Sequence, residues 1–375
     1  MRPFGYFVHH QGRGHAERCA AILGALPATR PVTVFCARDD IFPALPARAR
    51  VVRIPSLFEA EDTVAPALDA ARTPATMHCA PLGWASIRSA MSTITGWWAE
   101  TDPALMIVDV SAEIAQLARL CSVPVVKVLQ HGDRSDPGHM AAYECAAGLL
   151  APYDERLEQP ERPDWMRAMT HHAGGLGVGR GHLPGREAAR RVLGVPDGAQ
   201  VCTVISGGGG AGAPLAPLTM AARAMPDVLF HVIGPVAREW HETVPGNLVL
   251  HGWVDAPEPF LAAADVFLAS TGNTTCHQIL GTGTPWVAIP EWRYFAEQLE
   301  KARMLERAGV AHVRETWPAT PGSWQDAFAA ARACDPAKAR SMIDPQAAQR
   351  TAAWLEGLAA RLWAEGGEPH RIAAE

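Results

Sequence analysis

The chain has 375 residues, of which 48% are hydrophobic and 19% charged, enough apolar side chain for two cores and too much for a disordered chain. A net charge of −6 excludes a broad nucleic-acid surface, which needs clustered Lys and Arg. The eight cysteines form no CxxC pair and read as reduced thiols, and no apolar run approaches the roughly 18 residues of a spanning helix, so a cytoplasmic protein is the expectation. Peripheral membrane contact stays open, since a lipid substrate needs no span.

Short apolar runs alternate with longer amphipathic stretches, the pattern of a parallel sheet covered by helices. Phe4 to His9 reads as a first strand, followed by a Gly-rich turn and a helix from about His15 to Leu26. Val32 to Cys36, Val51 to Ile54, Ala104 to Asp109 and Val125 to Leu129 continue the strands, with a helix carrying Ile114, Leu117 and Leu120 between the last two. Between Asp154 and Pro184 the periodicity fails under Pro160, Pro163, Gly174, Gly175, Gly177, Gly179 and Gly181, which reads as a linker. Alternation restarts with strands at Val201 to Ile205, Val228 to Ile233, Leu248 to Leu250, Val266 to Ala269 and Trp286 to Ile289. Pro214 suits a helix start, a further helix runs from about Tyr294 to Ala308, and Pro345 to Ala364 is helical. The expected organisation is an N-terminal domain over 1–153, a linker over 154–184, a second domain over 185–345 and a C-terminal helix and tail over 346–375. Both domains are α/β, doubly wound and Rossmann-like.

In such folds the carboxyl ends of the strands line the ligand crevice. Gly14 and His15 follow the first strand, and an imidazole there either caps the turn or takes a proton near neutral pH. Asp109 closes a buried strand and either caps the next helix or, meeting His15, fixes its tautomer. The loop Ser206 to Gly212, with Gly207, Gly208, Gly209 and Gly210, is either a flexible turn or a cradle of backbone N–H groups for an anion; no Gly-Lys-Ser/Thr follows, so it is no Walker loop. Ser270-Thr271-Gly272-Asn273-Thr274-Thr275 turns a strand into a helix whose positive end suits a diphosphate, with Gln278 a turn further on, within reach of a ribose. Glu297 and Gln298 open the next helix and suit vicinal sugar hydroxyls, although a solvated helix face explains each alone. Asp39-Asp40 reads as a turn and helix cap, and His9-His10 and His171-His172 fit no zinc signature, so no metal is expected.

The order of these elements is more specific than any one of them. A Gly loop, Leu250-His251-Gly252-Trp253-Val254, Ala263-Ala264-Asp265, the Ser-Thr-Gly helix start, a Gly-x-Pro and Glu-Gln form a series that resembles the GT-B glycosyltransferases. The resemblance is to the branch with the peptidoglycan lipid N-acetylglucosaminyl transferase and the antibiotic and plant glycosyltransferases. It is strong from Gly194 to Val313 and weaker from Phe4 to Leu129; Phe58 to Trp98 matches nothing known.

That resemblance implies two domains facing a cleft and an inverting, metal-independent transfer from a nucleotide diphosphate-sugar, UDP or TDP, with no cofactor. Backbone at Trp253 and Val254 would read the base, Gly272 to Thr275 hold the diphosphate, and Glu297 with Gln298 the sugar. His15 would be the base and Asp109 its partner. The family commonly has Glu where this chain has Gln278. The acceptor, whether small molecule, glycan or lipid, is not identified; Trp97, Trp98 and the residues from Met77 to Met91 either line an apolar site or are core. Gly14-His15-Ala16-Glu17-Arg18-Cys19 also resembles the Gly-His-x-x-Arg-Cys stretch of the UDP-sugar hydrolase of pseudaminic acid synthesis, which keeps hydrolysis as an alternative. A non-catalytic sugar-nucleotide-binding protein is the third.

Overall fold

The structure is a computed structural model that describes residues 1–177, 183–207, 210–238 and 243–365. The chain forms two compact units. The first comprises Met1–Pro152, Pro160–Gly177 and the chain from Pro345; the second comprises Tyr153–Gln159 and the stretch 178–344. Among the described residues no helix is long and apolar enough to cross a membrane.

The first unit is built on seven parallel strands: β1 (Phe4–Phe7), β2 (Val32–Cys36), β3 (Ala49–Arg53), β4 (Leu105–Val108), β5 (Val125–Val128), β6 (Gly148–Ala151) and β7 (Thr170–His172). Their order is β3-β2-β1-β4-β5-β6-β7. The order reverses direction between β1 and β4, and such a switch point opens a crevice at the carboxyl ends of the strands. Helices α1 (Arg13–Ala25), α2 (Ala85–Thr101), α3 (Ala112–Leu120) and α4 (Pro137–Glu144) connect the strands. Tight packing fixes two glycines. A Cβ on Gly5 would lie 2.4 Å from Met106 Sδ and 2.9 Å from the Trp97 ring. One on Gly148 would lie 2.9 Å from Trp354, on the C-terminal helix Ala347–Leu362. That helix lays Ala348, Ala352, Leu355 and Leu358 into the same core as Ile22 and Leu23 of α1.

Among the described residues the main sheet of the second unit has six parallel strands, β8 (Gln200–Ile205), β9 (Val228–Ile233), β10 (Leu248–Gly252), β11 (Val266–Ala269), β12 (Trp286–Ala288) and β13 (His312–Val313). Their order is β10-β9-β8-β11-β12-β13, with the reversal between β8 and β11. Its helices include α5 (Arg186–Val192), α6 (Leu215–Ala224), α7 (Asn273–Thr282), α8 (Glu297–Arg307) and α9 (Pro321–Arg332). Leu215, Leu218, Phe230, Trp324 and Phe328 fill the core. Asp265 anchors α5: its Oδ2 accepts from Val201 N at 2.8 Å and from Arg190 at 2.5 Å.

Several segments differ from the sequence pattern. Within the stretch read as a linker, Thr170–His172 is the edge strand of the first sheet, with His171 stacked on Trp354. The part of that stretch holding Gly179 and Gly181 lies outside the described residues. The helix expected from Tyr294 breaks, because Phe295 and Ala296 have φ of 60° and 53°, and α8 begins at Glu297. No helix follows Asp39-Asp40; Asp40 is exposed and takes the Arg38 guanidinium at 2.9 Å. Trp98 is buried in the core, and Trp97 is half-buried and packs edge-on to Phe35.

Candidate active site

The segments that leave the switch point of the first unit, the start of α1 and the turn after β4, carry His15 and Asp109. Strands β1 and β4 pair in register, Phe4 opposite Leu105 and Phe7 opposite Val108, so the residues that follow each strand emerge side by side. Gly12 takes φ +85° and ends the loop after β1, which lets α1 start at Arg13 with Gly14 and His15 in its first turn. His15 Nδ1 lies 2.9 Å from Asp109 Oδ2. Arg18, one turn further along α1, places a guanidinium nitrogen 2.6 Å from the same oxygen and 2.9 Å from Nδ1. Nδ1 cannot donate to Asp109 and accept from Arg18 at once. The carboxylate is the stronger acceptor, so the proton belongs on Nδ1 and the Nε2 lone pair is left for chemistry. Asp109 is fully buried. Burial alone would raise its carboxyl, but the charges of Arg18 and His15 and their hydrogen bonds outweigh it and hold it well below the usual carboxylate range.

Arg18 was visible only as part of the His-x-x-Arg spacing, which puts both side chains on one helix face. His9 packs edge-on to His15 with ring centroids 5.4 Å apart, and His10 Nε2 lies 3.1 Å from Glu59 Oε1. Beside His10, at the carboxyl ends of β2 and β3, a cavity of about 500 Å³ is lined by Arg38, Arg53, Ser56 and Glu59.

In the second unit the loops after β8 and β11 flank the other switch point. The N-terminus of α7 has no side-chain cap and no carboxylate in its first turn, which leaves N–H groups of Asn273 to Thr275 facing outward with the positive end of the dipole. Buried Lys301 donates to Asn273 Oδ1 and adds positive charge there. Thr274, Thr275, Gln278 and Glu297 are partly exposed. Trp253 is 55% exposed, its Nε1 donating to Asp255 at 3.1 Å, with Val254 beside it.

Four residues of the sequence motifs are committed to the scaffold. Thr271 is fully buried and donates its hydroxyl to the Gln298 carbonyl at 2.6 Å. The Gln298 side-chain oxygen accepts from Thr271 N at 3.1 Å and Glu291 N at 2.9 Å, tying the loops after β11 and β12 together. Ser206 accepts from Ala213 N at 3.0 Å, and Ser270 is buried at the end of β11. Gly207 and Gly210 border this loop, while Gly208 and Gly209 lie outside the described residues. A Cβ on Gly210 would meet the Glu291 carboxylate at 2.1 Å, an approach nothing in the sequence spacing announces.

Among the described residues one group has donor atoms close enough for a metal, His78, Asp136 and His139, all within 4.8 Å of one another. Its geometry is better explained by helix capping. Asp136 accepts from Gly138 N and His139 N at 3.1 Å, His139 Nδ1 lies 2.5 Å from Asp136, and Arg134 lies 3.2 Å from the other ring nitrogen.

Burial drives His9 down to about 3 and His139 and His231 to about 4. The fold therefore favours their neutral forms, and as pH falls below the ordinary value near 6.5 the unfolded chain takes up protons first. Stability present at neutral pH is lost from about pH 6.5 downward to about 4, and to about 3 for His9, at up to about 1.4 kcal/mol per group per unit. The thermal midpoint should drop by on the order of 10 °C between pH 7 and 5, and a flat midpoint over that range would contradict it.

The architecture of the two units is that of the GT-B glycosyltransferases. The fold resembles the glycotransferase of kitacinnamycin, with a TM-score of 0.68 and 18% identity over 95% of this chain and 99% of that one. It also resembles spinosyn rhamnosyltransferase complexed with thymidine diphosphate, with a TM-score of 0.61 and 18% identity over 96% of this chain and all of that one (100%). In sequence the chain is similar to the UDP-N-acetylglucosamine–N-acetylmuramyl-(pentapeptide) pyrophosphoryl-undecaprenol N-acetylglucosamine transferase of Salinibacter ruber, 30% identical over 169 residues, 41% of this chain and 44% of that protein. The corresponding protein of Desulforudis audaxviator is 32% identical over 143 residues, 34% of this chain and 38% of that protein. The chain thus spans less than half the length of the curated relatives it matches. No family model matches it.

Proposed function

We propose that the protein is a glycosyltransferase that moves a sugar from a nucleoside diphosphate-sugar to a hydroxyl-bearing acceptor. The observation that carries this is the His15–Asp109 pair, 2.9 Å apart at the switch point of the first sheet with Nε2 of His15 directed away from its partners. In this reading Nε2 removes the acceptor proton as the oxygen attacks the anomeric carbon, and Asp109 holds the tautomer and the developing imidazolium. One displacement inverts that carbon. The leaving diphosphate is stabilised by the N-terminus of α7 with Lys301 behind it, a role that requires no metal ion. The cavity beside His10 has the volume of a small-ligand site and receives the acceptor.

The donor reading is supported by what the similar proteins carry in their names, a UDP-sugar in one case and thymidine diphosphate in the other. UDP is the expected nucleotide, with TDP the next choice. Calorimetry with UDP, TDP and GDP in the presence of a chelator tests this, and heat from none of them would remove the donor site. A nucleotide-sugar hydrolase is the second reading. It is favoured by one observation: Arg18, part of the Gly-His-x-x-Arg-Cys stretch, is itself bonded to Asp109 at 2.6 Å.

A further inference from the structure

Asp109 sits on a strained turn. The next residue, Val110, has φ of +68°, a region where a β-branched residue is a genuine outlier. Ser111 N–H donates back to the Asp109 carbonyl at 2.9 Å. Asp109, Val110 and Ser111 therefore close a γ-turn with a positive central φ, the rare and strained member of that class. Such a conformation persists only where its surroundings over-determine it.

Two neighbours do so here. The Ser111 hydroxyl caps α3, accepting from Ile114 N at 3.2 Å. The second neighbour is Lys127, in the middle of β5, where the run Val-Val-Lys-Val is buried throughout. Its Nζ donates to the Val110 carbonyl at 2.9 Å. No carboxylate lies within ion-pair distance of it among the described residues, and burial brings its amine down to about 7. Either protonation state keeps an N–H for the Val110 carbonyl. A methionine would fill this space at lower cost of burial. What it would lack is the bond to that carbonyl.

We propose that Lys127 is a positioning residue: its amine pins the Val110 carbonyl, holds the turn in its left-handed form and so keeps the Asp109 carboxylate against Nδ1 of His15. The effect on turnover rests on His15 being the base; the effect on the His15 tautomer does not, and ring-nitrogen NMR reads it without any reaction. In the unsubstituted protein the His15 signals should be those of the Nδ1–H tautomer. Lys127→Met should mix the tautomers and lower turnover by about 100-fold, the scale of an ångström-level misplacement, with donor KM little changed. Glycine adopts a positive φ without the steric cost. In a Val110→Gly background the same Lys127→Met change should therefore cost no more than about fivefold, with the tautomer restored.

An unchanged tautomer in Lys127→Met, or an equal loss in both backgrounds, would overturn the proposal. If Lys127→Met does not fold beside Val110, the doubly substituted protein decides: folded with the Nδ1–H tautomer it supports the pinning, unfolded or mixed it refutes it. If the tautomer follows Lys127 while no form of the protein turns over a nucleotide-sugar, the pinning stands and the reading of His15 as a base falls.

Discussion

Replacing His15 by alanine is expected to lower turnover by about 10²–10⁴-fold, the usual effect of losing a general base, with nucleotide affinity held within a few fold. The selectivity follows from the division of labour. His15 lies in the first unit, on α1, whereas the N–H groups and Lys301 assigned to the diphosphate lie in the second, at the start of α7. Asp109→Asn should also lose rate, for a different reason. An amide nitrogen facing Nδ1 donates to it, which moves the proton to Nε2 and removes the lone pair assigned to the proposed base. That variant also deprives Arg18 of its buried charge partner, so its thermal midpoint should fall while that of His15→Ala, at a site 18% exposed, changes less. Steady-state rates and midpoints on both variants separate the two effects. Full activity in His15→Ala would reduce His15 to a structural residue.

With donor alone, nucleotide release is expected to be roughly a thousandfold slower than common enzyme turnover near 10 s⁻¹, and to rise to that range when the acceptor, or an extract that contains it, is added. A hydrolase and a transferase share the base and differ in what the base acts on. A hydrolase must hold water in line with the anomeric carbon whenever donor is bound. A transferase that did so would waste donor while waiting. Orienting the reacting oxygen contributes on the order of 7–11 kcal/mol in favourable cases, so water that is present but not oriented reacts slowly. Coupled detection of the released nucleoside diphosphate reads both states. Rapid release from donor alone, with free sugar as product and no stimulation by extract, would establish the hydrolase.

The strands at the centre of both sheets were legible because burial on both faces leaves short apolar runs with sharp ends. Val228–Ile233 and Val266–Ala269 have the bounds the pattern indicates. Gly148–Ala151 escaped notice because a four-residue run of Gly, Leu, Leu and Ala carries no β-branched residue to distinguish it from helix. Helix α4 was hidden by Pro137-Gly138, which reads as a turn until Asp136 is seen to cap it. At the site, His15 and Asp109 were readable as strand-end residues, and their meeting depends only on β1 and β4 being neighbours. Thr271 and Gln298 show the opposite limit. A hydroxyl and an amide in a ligand motif serve equally well to lace two loops together, and only burial separates the two uses. Lys127 left a trace, a single cation inside an apolar strand, but its target on the Val110 carbonyl requires the sheet.

The return of the C-terminal helix to the first unit has a consequence for synthesis. The chain emerges from the ribosome N-terminus first, and domains generally fold as units as they appear. The second unit is closed at Asp344, so all of its sheet and helices are made before the helix Ala347–Leu362. The first unit, although translated earlier, lacks one wall of its core until Ala348, Ala352, Leu355 and Leu358 arrive. Ile22 and Leu23, and the strand at Gly148, therefore lack this covering until the second unit has been translated. Of the two units, the one begun first is finished second, and a chain cut before Ala347 would leave it open while the other is complete.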